Sequence, residues 1–365
     1  MASPLLILGS LLAVSVVVAG CARFGTLVPR LAGAPIASPA ESSAGSSSTP
    51  VPAGPLGPGW HPISLVVDGR SRSYLLHVPP NAGTGPRPLV IELHGGGGTA
   101  AGMERLTDLT DQTDPRGWLV AAPSGIGRQW NDGRSGVGSP IDDVAFIRAL
   151  IDDVAARTSL DRNRVFATGI SNGAMMSGRL ACDLSDRIAA VAQVAGTIGV
   201  EERDRCAPSA PVSILVIAGT ADPLVPYAGG AVGARLGLSR GAVIGAEQYV
   251  ADWLARDGLT AAERSTSQLP PDTAIVQAGS PGGPRVAFYS VAGGGHTWPG
   301  GPQYLPRFLV GSTTRTFDAS QVIVDFFAGV PPRTATTPAT PAAPAETPAA
   351  TPAAPAATTS GPTAS

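Results

Sequence analysis

An α/β domain with a mostly parallel central sheet and helices on both faces is predicted by three features of the sequence. Short apolar runs of strand length recur through residues 59–330. Between them lie longer segments whose apolar residues fall at helical spacing. The runs are apolar almost throughout rather than strictly alternating, the pattern of strands covered on both faces.

Two runs open the domain, "ISLVVDG" (Ile63–Gly69) and "SYLLHVP" (Ser73–Pro79), joined by a tight turn and therefore expected as an antiparallel pair. Buried strands follow at "PLVIELHG" (Pro88–Gly95), "WLVAAPSG" (Trp118–Gly125), "RVFATGIS" (Arg164–Ser171), "AAVAQVAG" (Ala189–Gly196), "PVSILVIAG" (Pro211–Gly219) and "RVAFYSVAG" (Arg285–Gly293). The clearest helix is "IDDVAFIRALIDDVA", with Ile141, Val144, Ile147, Ile151 and Val154 on one face and Asp142, Asp143, Arg148 and Asp153 turned elsewhere. "GAEQYVADWLARDG" and "DASQVIVDFFAG" are further amphipathic helices, the second closing at Gly329. In such a sheet, ligand-binding groups collect at the carboxyl ends of the strands.

The ends of the chain have a different character. "PLLILGSLLAVSVVVAG" is an apolar run of 17 residues directly before Cys21, and it reads as an export signal over residues 1–20. "VAGC" resembles the lipobox of bacterial lipoproteins, which implies acylation of the Cys21 thiol and a membrane association made through that lipid alone. A single membrane-spanning anchor is the other reading of the run. Residues 21–58 are rich in Ser, Pro and Gly and are expected to form a disordered tether, and residues 331–365 a Pro, Ala and Thr-rich disordered tail. With Cys21 set aside, Cys182 and Cys206 remain as an even pair in an oxidising compartment. A disulfide is expected, with two buried thiols as the alternative.

Composition removes several classes of chemistry. The 25 basic residues are all Arg, so phosphate-loop lysines, pyridoxal Schiff bases and serine–lysine dyads are excluded. A net charge of -2 gives no electrostatic reason to expect nucleic acid. The Asp142-Asp143 and Asp152-Asp153 pairs have no His or Cys beside them and read as solvated helix faces rather than metal ligands.

"GISNG", Gly169 to Gly173, is a GxSxG match that follows a strand and opens a helix running to about Cys182. Small neighbours allow that turn to be tight and lift the Ser171 hydroxyl to the sheet edge. A second match, "GLSRG" at Gly237 to Gly241, has no strand before it, so Ser239 is read as chance. Of the four histidines, only His296 lies beyond Ser171, just after the last strand. Between the two, Asp222 sits in a Pro-flanked turn directly after the strand ending at Gly219. Serine, acid and histidine in that order are the catalytic order of one hydrolase class. "HGGGG" after the third predicted strand offers backbone N–H groups for an oxyanion, with Gly96 and Asn172 preferred and Gly95 the alternative to Gly96. His94 reads as positioning that loop.

"LHGGGG", "RQWNDG", "GISNGAMM", "GTADPLVPY" and "GGGHTWPGG", in this order, resemble the polyhydroxybutyrate depolymerase-like esterases, relatives of feruloyl and acetylxylan esterases with the α/β-hydrolase fold. The resemblance spans residues 60 to 330 and, with the lipobox, is similar to actinobacterial esterase lipoproteins. It implies Ser171, Asp222 and His296 as a triad that hydrolyses carboxylic esters, polymeric ones among them, with no cofactor and no metal. Trp130, Asn131 and Trp298 are candidates to line the acyl or alcohol site, packing anchors being the other reading. Two competing functions remain open at this point: an acyltransferase of the mycolyl-transferase type, and a non-catalytic surface binding lipoprotein on a hydrolase scaffold.

Overall fold

The computed structural model describes residues 56–81, 83–136 and 140–333. The export signal, Cys21, most of the tether and nearly all of the tail lie outside the described residues. Among the described residues no helix is long and apolar enough to cross a membrane.

The described residues contain twelve strands: β1 Gly59–Val67, β2 Arg70–Val78, β3 Arg87–Leu93, β4 Leu119–Pro123, β5 Leu160–Ile170, β6 Ala190–Val194, β7 Ser213–Gly219, β8 Gly229–Ala231, β9 Ala242–Ile244, β10 Arg264–Leu269, β11 Thr273–Gly279 and β12 Arg285–Val291. The helices are α1 Ala100–Thr107, α2 Thr110–Thr113, α3 Asp143–Arg157, α4 Asn172–Asp183, α5 Val200–Arg205, α6 Ala246–Arg256, α7 Arg307–Val310 and α8 Ala319–Ala328.

Ten strands form one sheet in the order β1-β2-β4-β3-β5-β6-β7-β12-β11-β10, and β8 pairs with β9 separately. The six strands from β4 to β12 run parallel. Antiparallel β1–β2 and β11–β10 flank them. Successive side chains of the parallel strands enter opposite cores. Leu89, Ile91, Leu93, Val165, Ala167, Ile214 and Val216 pack with α3, α4 and α6, while Val90, Phe166, Leu215 and Ile217 pack with α1 and α8. That two-sided cover is the physical content of the continuous apolar runs. It establishes the α/β-hydrolase class of architecture the sequence predicts.

The order of the strands also places the site. From β3 the chain moves to β4 on one side and then crosses back to β5 on the other. The segments leaving the carboxyl ends of β3 and β5 therefore diverge, and a crevice opens between them.

The short β8–β9 pair, the β10–β11 hairpin and the setting of Asp143 depart from the sequence reading. The β10–β11 hairpin was not among the expected strands, because β10 is a solvent-exposed edge, "RSTSQL", with neither face buried enough to impose a pattern. Asp143 is not on a solvated face: it is 1 % exposed. It accepts from the equally buried Arg72 at 2.6 Å and from the Asn131 backbone N–H at 2.7 Å. A buried carboxylate is tolerated there because both oxygens are satisfied and its charge is paired.

Candidate active site

Ser171 stands between β5 and α4 with φ 59° and ψ −122°, a conformation rarely adopted by a residue with a side chain. Strain of this kind costs about 1–3 kcal/mol and persists only where the surroundings over-determine it. Here the Ser171 N–H donates to Val194 O at 2.9 Å, and Ser171 O accepts from Met175 N at 2.9 Å. The flanking glycines are required by close approach. A Cβ on Gly169 would lie 2.6 Å from both Gly173 C and Leu93 O, and one on Gly173 only 2.1 Å from Leu93 O. Without side chains at these two positions α4 can press against β3 and β5 and hold the turn sharp.

The histidine and the acid come from neighbouring parallel strands. Asp222 follows β7 and His296 follows β12, and the two strands are hydrogen-bonded to each other. His296 Nδ1 donates to Asp222 Oδ2 at 2.7 Å. The other carboxylate oxygen accepts the Leu224 and Val225 amides, both at 2.8 Å, so the carboxylate is held against rotation. Both side chains are almost fully buried. The His296 main chain is fixed as well: its N–H donates to Val310 O at 2.5 Å, and Tyr304 Oη donates to its carbonyl at 2.8 Å. With Nδ1 committed as donor, Nε2 is left as the acceptor of the ring.

Ser171 and His296 line one cavity of about 760 Å³ at the crevice, and Gly95, Gly96 and Asn172 line it with them. The loop after β3 is set by its own bonds. Gly98 N–H donates to Gly95 O and Gly97 N–H to Arg128 O, both at 2.8 Å, so those two amides are engaged away from the cavity. A Cβ built on Gly95 would sit 3.5 Å from Ser171 Cβ, which measures how near this loop lies to the serine.

His94 positions the loop. Its Nε2 accepts the Gly125 N–H at 3.0 Å, so the proton is on Nδ1, which donates to Gly95 O at 2.8 Å. Burial, ahead of any other influence, holds its pKa below the usual histidine range, in keeping with a neutral ring.

Asn172 is tied to the segment after β4. Its Oδ1 accepts the Trp130 N–H at 2.7 Å, and its Nδ2 donates to Trp130 O at 3.0 Å and to Asp132 Oδ2 at 2.7 Å. Asp132 is in turn gripped by Arg134 at 2.6 Å, both buried. Trp130 and Asp132 of this "RQWNDGR" stretch therefore support the turn that carries Ser171, while Arg128, Gln129 and Arg134 of the same stretch line the cavity.

Three residues placed by the sequence as candidate substrate contacts do not line the cavity. Trp130 is fully buried beneath the loop, its ring against His94 and its Nε1 donating to His94 O at 2.8 Å. Trp298 is 1 % exposed and donates from Nε1 to Ser320 Oγ at 3.0 Å. Neither ring belongs to the cavity wall. Asn131 is also off the wall, its side-chain amide donating to Ile141 O at 2.9 Å. Large rings with satisfied N–H groups pack inside at no polar cost, so these indoles act as anchors.

The wall is built instead from Met103, Leu106, Ile170, Met175, Leu224, Val232, Leu305 and Tyr304, with Arg105, Arg128, Arg134 and Arg240 among them. No local pattern announces these residues, since they converge from loops and helix ends far apart in sequence. Ser239 is exposed on a loop beside the cavity rim, without the strand and helix that frame Ser171. The sulfur atoms of Cys182 and Cys206 are joined in a disulfide across a sequence separation of 24. Among the described residues no group of His, Cys, Asp and Glu could hold a metal ion.

Comparison with known proteins agrees with this architecture. Residues 72–263 match the family described as esterase PHB depolymerase, a span that includes Ser171 and Asp222 and ends before His296. A protein of Nocardia uniformis subsp. tsuyamanensis named "Putative esterase NocK" is 33% identical over 338 residues, covering 88% of this chain and 97% of that protein. Feruloyl esterase B of Piromyces equi is 30% identical over 225 residues, 60% of this chain but only 41% of that protein's length. A protein of Aspergillus flavus named "Probable feruloyl esterase C" is 32% identical over 168 residues, 44% of this chain and 58% of that one. With its fold, and with a relative aligned along nearly its whole length, the chain belongs to the esterase PHB depolymerase family and is a serine carboxylic ester hydrolase.

Proposed function

We propose that Ser171 is the nucleophile, His296 the general base and acid, and Asp222 the carboxylate that orients it. The observation that carries the reading is the 2.7 Å bond from His296 Nδ1 to an Asp222 carboxylate that is itself pinned by two amides. It leaves His296 Nε2 as the acceptor in a cavity that also exposes Ser171.

In the first half-reaction Ser171 Oγ attacks the ester carbonyl carbon while its proton passes to His296 Nε2. Asp222 stabilises the resulting imidazolium and keeps its tautomer. The Gly96 and Asn172 amides, with Gly95 as the alternative to Gly96, donate to the oxyanion. Asn172 is the first residue of α4, so the helix N-terminus adds its partial positive charge there. Collapse breaks the bond to the alcohol, which leaves with the proton from His296. Water then gives a proton to His296 and attacks the acyl group, releasing the acid and restoring Ser171. No cofactor enters this scheme.

The acyl groups we assign are those of polyhydroxybutyrate-type, feruloyl or acetyl esters, supported by family membership and by the names of the feruloyl esterase relatives. We further assign residues 1–20 as a lipoprotein signal peptide, Cys21 as the acylated residue, 21–58 as a tether, 59–330 as the catalytic domain and 331–365 as a tail, so that the enzyme works outside the cell, lipid-anchored or released. Mass spectrometry of the mature N-terminus tests the export assignment: a diacylglyceryl adduct on Cys21 is expected, and an unprocessed Met1 would contradict it. For the site, Ser171→Ala is expected to abolish turnover of a chromogenic ester while the melting curve is retained.

A further inference from the structure

The cavity carries a charge pattern that ester hydrolysis does not require. Four arginines line it, Arg105, Arg128, Arg134 and Arg240, and no carboxylate does among the described residues. The chain as a whole has an excess of acid, 27 Asp and Glu against 25 Arg, so an all-positive wall is not a reflection of overall composition. Arg134 is neutralised by Asp132. Arg105, Arg128 and Arg240 are exposed and have no carboxylate partner among the described residues.

Two of these three are tied to the segment Gly98–Gly102, which lines the cavity: Arg128 by a hydrogen bond to Gly98, and Arg105 by a terminal nitrogen that would lie 3.8 Å from a Cβ on Gly102. Arg128 lies over the glycine turn, with its Nε donating to Gly98 O at 3.1 Å and its carbonyl accepting from Gly97 N at 2.8 Å. That anchoring points the guanidinium along the loop and leaves its two terminal nitrogens as donors. Arg105 is on α1, one turn beyond Gly102, which also lines the cavity. Met103, Leu106 and Ile170 give the same cavity an apolar surface, Ile170 directly before Ser171 and Met103 and Leu106 on α1 beside Arg105. An occupant that suits such a lining has an apolar chain and an anion at its far end.

We propose that Arg105 and Arg128 form a carboxylate-binding subsite, so that the preferred substrate is an ester whose acyl chain ends in a free carboxylate. This rests on Ser171 being the attacking residue, since that fixes where the scissile carbonyl lies. The subsite selects the far end of the acyl chain, whereas the triad and oxyanion amides act on the ester group common to all substrates. Fork-shaped guanidinium donors match a carboxylate in pairs, and their attraction is screened by salt because both groups are exposed.

The test compares the wild-type enzyme on two matched pairs: mono-4-nitrophenyl adipate against 4-nitrophenyl hexanoate, and mono-4-nitrophenyl suberate against 4-nitrophenyl octanoate. The ratio of kcat/KM for the acid-bearing ester to that for its neutral partner is expected to exceed one at low ionic strength and to fall as salt is added. In the double variant Arg105→Gln/Arg128→Gln that ratio is expected to drop about tenfold, the scale of a charged hydrogen bond. Arg264→Gln removes the same charge from the exposed edge strand β10, no residue of which lines the cavity, and is expected to leave the ratio unchanged. Turnover of both neutral esters with a ratio that the double variant does not alter overturns the subsite while leaving the triad assignment standing. Should the wild-type enzyme hydrolyse none of the four esters, the triad assignment fails. Calorimetric titration of the Ser171→Ala protein with mono-4-nitrophenyl suberate then decides the subsite alone: weaker binding when the two arginines are also replaced supports it, and equal binding overturns it.

Discussion

Asn172 and Trp130 are bonded to each other in both directions, the Asn172 Oδ1 accepting the Trp130 N–H at 2.7 Å and its Nδ2 donating to the Trp130 carbonyl at 3.0 Å. A side chain thus copies the pairing of a β-ladder and fastens the turn at Ser171 to a loop 42 residues away in sequence. Only an amide can both accept and donate in this plane.

Replacing Asn172 by Ala keeps its backbone amide but leaves the Trp130 N–H and Asp132 short of a partner. The loss of stability is expected to be about 2–4 kcal/mol, with a fall in kcat larger than any change in KM, because the turn loses its brace. Asn172→Asp is expected to fare no better, since it sets a second carboxylate against Asp132. Thermal melting and steady-state kinetics on one chromogenic ester check both.

Trp298 is expected to behave as an anchor. Its ring is buried, and its N–H donates to Ser320 Oγ, which in turn donates to Thr107 O at 2.5 Å. Trp298→Ala should lower the melting temperature by on the order of 10 °C, from a cavity cost of about 3–5 kcal/mol. Turnover of small and bulky esters should fall by the same factor. A loss confined to the bulky ester would instead return the ring to the substrate.

Glu92, on β3 two residues before His94, is fully buried, with one oxygen accepting from Thr107 Oγ1 at 2.6 Å. Burial, and then the nearby Glu104 carboxylate, push its pKa up to about 8 from 4.5. The folded state therefore holds a proton that the unfolded chain has already released. Its contribution is full below about pH 4.5 and is lost as pH rises through about 8. Glu92→Gln, which cannot ionise, should gain on the wild-type protein in melting temperature as pH goes from 5 to 9. A difference that stays flat across that range would contradict the assignment.

Opening the Cys182–Cys206 bridge frees a loop with a sequence separation of 24. In the chain-entropy treatment this costs about 3 kcal/mol. A Cys182→Ala/Cys206→Ala protein should melt several degrees lower while its kcat on a small ester changes little, since neither residue lines the cavity.

What the sequence disclosed and what it withheld divide along physical lines. The parallel strands were legible because strands covered on both faces have to be apolar: β4, β6, β7 and β12 lie within expected runs, whereas β3 and β5 begin before theirs, β5 by the four polar-rich residues Leu160–Asn163. Ser171, Asp222 and His296 were legible because each directly follows such a strand, so chain order alone carries them to one edge of the sheet. The hairpin β10–β11 was not, because an exposed edge places no demand on its side chains. Asp143 was misplaced for a related reason: its partner Arg72 stands on β2, and helical periodicity contains no information about a distant guanidinium. The tryptophans illustrate the same limit. "RQWNDG" and "HTWPGG" mark loops at the active edge, but only tertiary packing decides whether a ring faces the cavity or lies beneath it. The arginine wall was invisible too, as its members meet only once β3, β4 and the segment before β9 are assembled.

The central claim is that Ser171 is the nucleophile served by His296 and Asp222, and covalent labelling with a fluorophosphonate tests it most directly. One phosphonyl adduct per chain is expected, located to Ser171 by peptide mass spectrometry. It should be absent in Ser171→Ala, strongly slowed in His296→Ala and unchanged in Ser239→Ala. An adduct on any other serine, or ester turnover near the wild-type rate in Ser171→Ala, would contradict the account.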